Sequence, residues 1–433
     1  MMNYTNLISA WNQLLLQFLP LFTEPTATTF TRMATAWVLA TGRRSICGIF
    51  WFVEPSERRA HDAYHRFFPD GAWSMDDLWQ TWTCFVVGKF YPARLVPLIL
   101  DDTLFHKTGR KVDGAGWWRD AVRSTHTRVV YALGLNLVVI CLRVDPPWGG
   151  EPINLPIHMR LHRKGGPGPL ELAKEMIRQI ANWLPHCSFC LTCDGFYAPL
   201  AGCKLERTTL ISRMRRDGAL YDLAPKQRKG QRGRPRKKGH RLPTPQATAP
   251  HVRNWKRITI NQRGRIIQRL IYTRIVLWYG VCGSTPIKLL IVRDPDGKEP
   301  DDFFFTTDVD MPEEKVAESF YARWSIEDTF KNTKQLLGGQ QPQVWKAGGP
   351  QRAAAFSLLL YSLIWTWYLT HGHRSIRFHI PSWYRQKKRP SFQDALSALR
   401  KTIWRSRLFP KSGNTPAPTT IIQTLIEAAA YAA

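Results

Sequence analysis

The sequence predicts an α/β fold with helical regions on either side. Three observations predict it. Between residues 95 and 214, short apolar runs without helical spacing alternate with one clearly helical segment. The first 90 residues and the stretch beyond residue 310 carry helical spacing instead. A basic run containing Gly and Pro, residues 226–241, separates the first group of strand-like segments from a second.

In chain order, apolar positions recur at helical intervals over residues 14–21 and 33–39, and Ser74-Met-Asp-Asp is a helix start before Leu78. Residues 95–100 form a short apolar run ending in Asp101-Asp102-Thr103. Residues 133–144 and 152–161 are two further strands, joined as a hairpin through Pro146-Pro-Trp-Gly-Gly150. Leu172, Met176, Ile180 and Trp183 mark a helix over 170–183. A strand at 189–193 ends in Asp194, and another covers 208–214 with room for a short helix before it. After the basic run come strand-like segments near 270–277, 287–292 and 303–307. One long helix is then expected over 313–337, stopped by Gly338-Gly339. An apolar helix at 353–369 follows, then a basic, aromatic tail whose last helix starts at a Ser391/Asp394 capping-box variant.

The composition narrows the function. Sixty-one Lys and Arg oppose 33 Asp and Glu in 433 residues, a formal net charge of +28, while 44% of residues are hydrophobic. The chain can bury a core, and its charge favours a polyanion, because each neutralised phosphate releases counterions. Eight scattered Cys and no recognisable secretory signal point to reduced thiols in a cytoplasmic setting. The apolar stretch at 353–369 is at the lower limit for a bilayer span, has no companion and is flanked by polar segments, so a buried core helix is expected and no membrane partner.

The acids carry the chemistry. Asp101 and Asp194 each follow an apolar strand, and open sheets gather ligand groups at strand carboxyl ends. Two close carboxylates repel unless a cation joins them, and Mg²⁺ accepts such ligands. Asp-Asp-Thr and Asp-Gly are equally ordinary turn sequences. On an uninterrupted helix at about 100° per residue, Phe320, Arg323, Glu327, Lys331 and Lys334 fall within an arc of about 80°. That stripe suits a surface salt-bridge network as well as a metal ligand flanked by phosphate-binding cations.

The run Phe320-Tyr-Ala-Arg323-Trp-Ser-Ile-Glu327, with Lys334 after six more residues, resembles the Y-x2-R-x3-E-x6-K signature of DDE transposases of bacterial insertion sequences, the IS4-like superfamily. Asp101-Asp-Thr103 and Asp194-Gly-Phe-Tyr197 resemble that family's first two acidic motifs. Thr306-Thr307-Asp308, Leu336-Leu337-Gly338 and Trp345 continue the likeness, and the Arg-Gly-Arg-Pro-Arg run with the Trp-rich tail resembles the IS701-like branch most. The likeness covers residues 95 to 345. Phe320 departs from it, lacking the Tyr hydroxyl that would meet a phosphate. The pattern Asp-x-Thr selects Asp101 over Asp102.

The resemblance implies an RNase H-like core, a mixed five-stranded sheet flanked by helices, with a β-rich insertion between the second and third acids. The corresponding organisation is a helical region at 1–90 with possible DNA-end binding, core at 91–215, basic loop and insertion at 216–309, core again at 310–372, and a basic aromatic region at 373–433. It implies that Asp101, Asp194 and Glu327 are catalytic and hold two Mg²⁺ (or Mn²⁺) ions for cleavage at transposon ends and strand transfer into target DNA. Arg323, Lys331 and Lys334 would grip phosphates at the terminal inverted repeats. A homodimer acting on two ends, in the bacterial cytoplasm at the nucleoid, goes with that activity. Rival readings are an inactive or domesticated DNA-binding protein and a stand-alone RNase H-fold nuclease.

Secondary features are weighed separately. Arg232, Arg234, Arg236 and Lys237 form a basic loop for DNA phosphates, and Arg-Gly-Arg-Pro also resembles an AT-hook core. His186, Cys187, Cys190 and Cys193 span a strand and its approach, and the cysteines are read as buried thiols rather than a zinc site. Trp117, Trp118, Trp365, Trp367, Trp383 and Trp404 are read as core and helix-packing residues.

Overall fold

The computed structural model describes residues 4–92, 95–125, 127–225, 234–409 and 420–431. Helices α1 (Tyr4–Leu16), α2 (Glu24–Leu39), α3 (Ile46–Phe50), α4 (His61–Arg66) and α5 (Met75–Phe90) come first. Ser74 starts α5 as the sequence predicts, its hydroxyl accepting from the Asp77 amide at 3.2 Å. Strands β1 (Leu95–His106), β2 (Gly116–Arg119), β3 (Tyr131–Val144) and β4 (Ile153–His162) follow, then α6 (Pro169–Trp183), β5 (Ser188–Cys193), a 3₁₀ turn at Ala198–Gly202 and β6 (Thr208–Arg213). Next are α7 (Pro245–Thr248), β7 (Lys256–Gln262), β8 (Arg265–Leu277), α8 (Tyr279–Cys282), β9 (Pro286–Arg293) and β10 (Asp302–Thr306). Helices α9 (Glu313–Ala322), α10 (Ser325–Gln335), α11 (Gly349–Trp367), α12 (His373–Ser375), α13 (Phe392–Leu408) and α14 (Thr420–Tyr431) complete the order.

Among the described residues, all ten strands join one mixed sheet in the order β2-β3-β1-β5-β6-β10-β9-β8-β7, with β4 also on β3. Within it, β4-β3-β1 are antiparallel, and β5 and β6 run parallel to β1. The strands after the basic run do not form a sheet of their own. They extend the first one, because β10 pairs antiparallel with both β6 and β9. The sheet therefore continues well past the five strands expected for the core. The alternating Lys256–Gln262 segment, β7, is not among the expected strands, nor is the short β2.

The long helix expected over 313–337 is two helices. Between α9 and α10 the backbone tightens into i→i+3 bonds, Arg323 N to Phe320 O at 3.1 Å and Glu327 N to Trp324 O at 3.1 Å. The single-helix arc therefore does not exist. Helix α9 packs on β10, β6 and β7, whereas α10 packs on β4, β1 and α11. Phe320 is buried in the first of these contacts, its ring stacked on Phe304 at 4.2 Å.

Helix α10 is pinned from several directions. Ser325, Ile326, Thr329, Phe330 and Thr333 form its buried face, at i, i+4 and i+8. The buried Asn154 of β4 donates to Ser325 Oγ at 2.7 Å and accepts through its carbonyl from Thr329 Oγ1 at 3.0 Å. At the other end, Trp37 Nε1 and Arg44 donate to the carbonyls of Leu337 and Leu336, which no further turn of helix would satisfy. The N-terminal helices thus hold the end of α10, and Glu327, Asp328 and Lys331 are left on its exposed face.

Segment Gly349–Ser375 is apolar and long enough to cross a membrane by length and composition, yet 94% of its most apolar window is buried in the fold. Trp365 and Trp367 are buried there and Trp118 packs under Lys164, but Trp117 (63% exposed) and Trp383 (86%) are not core residues as expected. Cys190 and Cys193 are buried in β5, and Cys187 is half-buried. The predicted capping box at the start of α13 is present, with Asp394 accepting from the Ser391 amide at 2.7 Å.

Candidate active site

Register brings the first two acids together. β1 and β5 are parallel neighbours up to the pair Leu100↔Cys193, so the next residue on each strand is Asp101 and Asp194. Asp101 does not end its strand, as the sequence suggests. It sits in mid-β1 opposite Val139, where β5 has stopped and its side of β1 opens. Asp194 begins a turn, its Oδ1 accepting from the Phe196 amide at 3.0 Å. The turn chemistry and the pairing of the acids are thus both present, and neither excludes the other.

Alternation along β1 puts Asp101 and Asp102 on opposite faces. Asp101 faces the α9–α10 junction, where Arg323 Nη1 donates to its Oδ2 at 2.6 Å. Its Oδ1 accepts from the Asp102 amide at 2.9 Å. Asp102 instead accepts from the Tyr197 hydroxyl at 3.3 Å. Burial pushes the Asp101 carboxyl up to about 7, with Arg323 pulling it down and Asp194 and Asp102 adding to the rise. Desolvation and Asp194 push Asp102 up to about 6 against the Tyr197 hydrogen bond. The charge of Asp194 thus bears on both Asp101 and Asp102, a repulsion that a divalent cation would relieve.

Arg323 links the acid pair to Glu327. It is 7% exposed, lies over the rings of Phe320 at 5.6 Å and Trp324 at 5.1 Å, and its Nε has no hydrogen-bond partner among the described residues. Glu327, on the exposed face of α10, has its carboxyl raised by burial, opposed by Arg323 and Arg263 and reinforced by Asp328. Arg323 is therefore a counter-ion within the acidic cluster rather than an outward-facing cation. The oxygens of Asp101, Asp194 and Glu327 are not drawn to within 4.8 Å of one another.

The cations expected beside Glu327 separate. Lys331 is exposed one turn further along α10. Lys334 is half-buried over the Phe105 ring at 5.7 Å, and burial lowers its amine to about 8 although Asp120 favours the charge. A charged amine held there costs stability near neutral pH, and that cost fades as pH rises above 8, since the unfolded amine titrates near 10.5. Lys334→Met keeps the chain volume and removes the charge, so its melting temperature at pH 7 is expected to equal or exceed that of the parent protein. A clear drop in thermal melting would instead make the ammonium a structural group.

Tyr321, adjacent to the Phe320 departure, donates its hydroxyl to Asp302 at 3.1 Å and so does not replace the missing one beside Glu327. Arg234, Arg236 and Lys237 are exposed, and Arg232 lies outside the described residues. The end of the basic run is paired with the fold. Gly239 N donates to Asp222 O at 2.9 Å, and Lys238 sits over Tyr221 at 3.9 Å.

Sequence reasoning misses the tip of the β7–β8 hairpin. Arg263 and Gly264 both have positive φ, 54° and 77°, as a two-residue I′ turn requires. A Cβ on Gly264 would lie 2.7 Å from Gly150 Cα, so the tip packs directly on the β3–β4 loop. Arg263 bonds Glu151 there and contributes to the field at Glu327. The alternation Ile258, Ile260 before Asn261-Gln-Arg-Gly264 is the signal that carries this hairpin.

Compared with known families, residues 17–267 match the family described as DDE superfamily endonuclease. The matched span contains Asp101 and Asp194 and ends before Glu327, which only the resemblance of residues 320–334 to the signature puts with them. No curated protein matches the chain.

Proposed function

The chain belongs to the DDE superfamily endonucleases, and from that premise we propose that it is a DNA transposase of the IS4-like superfamily, nearest the IS701-like branch. It cuts at the ends of its element and joins the freed 3′ ends to target DNA. The observation that supports this reading is the register pair Leu100↔Cys193, beyond which Asp101 and Asp194 follow on neighbouring strands, with α10, which carries Glu327, packed on β1. The strand order β4-β3-β1-β5-β6 supports an RNase H-like core.

In this reading Asp101, Asp194 and Glu327 hold two divalent ions. Their donor set is all carboxylate oxygen, which suits Mg²⁺ or Mn²⁺. Bound ions would acidify the attacking water and offset charge on the leaving 3′ oxygen. Arg323 balances Asp101 while the site is free of substrate. Lys331, on the exposed face with Glu327, offers its charge to a phosphate of the transposon end, and Lys334 supports the same face. Arg234, Arg236, Lys237 and Arg232 track the backbone of the bound duplex. The net charge of +28 supports that polyanion partner. Two ends per reaction imply a homodimer in the DNA complex, working at the nucleoid in a bacterial cytoplasm.

The test is purified protein with Mg²⁺, or with EDTA as control, on DNA carrying the element's own ends together with a target duplex. Joined products that require Mg²⁺ are expected. Cutting without joining would favour a hydrolytic nuclease, and binding without cutting a DNA-binding regulator.

A further inference from the structure

Away from the acids, a second group of metal-binding side chains converges. Ser45 starts α3, its Oγ accepting from the Gly48 amide at 3.1 Å, and so fixes the short helix that carries Cys47. Helix α4 carries His61 and His65 one turn apart, at i and i+4, on one face. The ligand atoms of Cys47, His61 and His65 all lie within 4.8 Å of one another, and all three residues are exposed. His61 is steadied by the edge of Phe50, from the same helix as Cys47, at 5.0 Å and 89°.

We propose that Cys47, His61 and His65 bind a transition-metal cation of the zinc class, at a site independent of the carboxylates. One thiolate and two imidazoles form a borderline-soft donor set that Mg²⁺ does not favour and Zn²⁺ does. Cys47 Sγ lies 3.5 Å from His65 Nε2. Zn–S and Zn–N bonds of about 2.3 and 2.0 Å at a tetrahedral angle require an S···N edge of about 3.5 Å. The two imidazole rings stand with centroids 4.6 Å apart, and their ligand nitrogens lie within 4.8 Å of each other and of the thiol. Arg66, the nearest cation on α4, is already paired with Asp62 at 2.6 Å.

Three protein ligands leave a fourth position. Cys47 and His65 also line a cleft of about 300 Å³ with Asp70, Trp345 and Lys346. The far wall of that cleft is the segment that follows α10, tied to the N-terminal helices by Gln341 Oε1 accepting from the Arg44 amide at 2.7 Å. A cation bound here fastens α3 to α4 beside the seam that holds the end of α10.

The competing account of the 3.5 Å contact is a thiol–imidazole hydrogen bond that binds no metal. Full-length protein stripped with chelator and then titrated with Co²⁺ separates the two. The proposal expects one equivalent bound with thiolate-to-cobalt charge transfer and tetrahedral visible bands, displaced by Zn²⁺. Cys47→Ser and His65→Ala lose that equivalent, whereas Cys84→Ser, at an exposed cysteine elsewhere, keeps it. No thiolate band, or equal binding by Cys47→Ser, overturns the proposal. A measurement without substitution guards against misfolded variants. Zn²⁺ should slow alkylation of Cys47 in the unsubstituted protein by about tenfold or more and leave Cys84 unchanged. Equal rates with and without Zn²⁺ overturn it as well.

Discussion

Asp101→Asn is expected to lower Mg²⁺-dependent DNA cleavage by about a thousandfold or more, while Asp102→Asn retains a readily measured fraction. The two residues are adjacent and both feel Asp194, so sequence position alone does not separate them. The pleat of β1 does. Asp101 faces the α9–α10 junction and pairs with Arg323, whereas Asp102 turns to the Tyr197 hydroxyl. Only Asp101 shares a face of the sheet with the helix bearing Glu327. On the proposed reading Asp101 would hold a divalent ion, so exchanging its carboxylate for an amide would weaken the cation that offsets the developing negative charge, and about 4 kcal/mol of lost stabilisation corresponds to a thousandfold. Asp102→Asn removes a like charge from beside Asp101 and keeps an acceptor for Tyr197, so its effect is expected to stay within about tenfold. Single-turnover cleavage of end-containing DNA by both variants decides the matter, with DNA affinity measured alongside. If Asp102→Asn is the dead variant and Asp101→Asn cuts, the assignment of the first acid is reversed.

Much of this site is legible in the sequence because local rules govern its parts. Apolar runs of strand length ahead of Asp101 and Asp194 become β1 and β5, and the stripe Leu172, Met176, Ile180 becomes the buried face of α6. What the sequence does not supply are relations between distant segments. Helical periodicity continues through Arg323 and Trp324, so nothing in the spacing announces that α9 serves β10 while α10 serves β4. The same break explains why the spacing casts Arg323 as a phosphate-facing cation. On an unbroken helix its position points outward, yet the tightened turn carries it inward to Asp101. The convergence of Cys47 on His61 and His65 is of the same kind, since a helix turn accounts for the His spacing but only the packing of α3 on α4 brings the thiol.

Arg323→Ala is expected to destabilise the metal-free protein by about 3 kcal/mol or more at alkaline pH, and by less in acid. Removing one partner of a buried ion pair strands the other, and the loss of the guanidinium also empties the space between Phe320 and Trp324. The pH dependence follows from Asp101. Burial holds its folded-state value near 7, well above the ordinary 3.8, even with Arg323 pulling it down. A carboxyl raised in the folded state binds its proton more tightly than in the unfolded chain, so stability from this group declines as pH rises from 3.8 towards its folded value. In the parent protein that decline ends near pH 7. Without Arg323 the folded value moves higher, and the decline continues above about pH 7, at about 1.4 kcal/mol for each further pH unit until the new value is reached. The gap between the two proteins should therefore widen from about pH 6 to about pH 8.5. Urea denaturation in EDTA at both pH values measures it, and EDTA keeps divalent cations from holding Asp101 in place of Arg323. An equal gap at the two pH values would mean that Arg323 acts through packing alone and that Asp101 is not the group it balances.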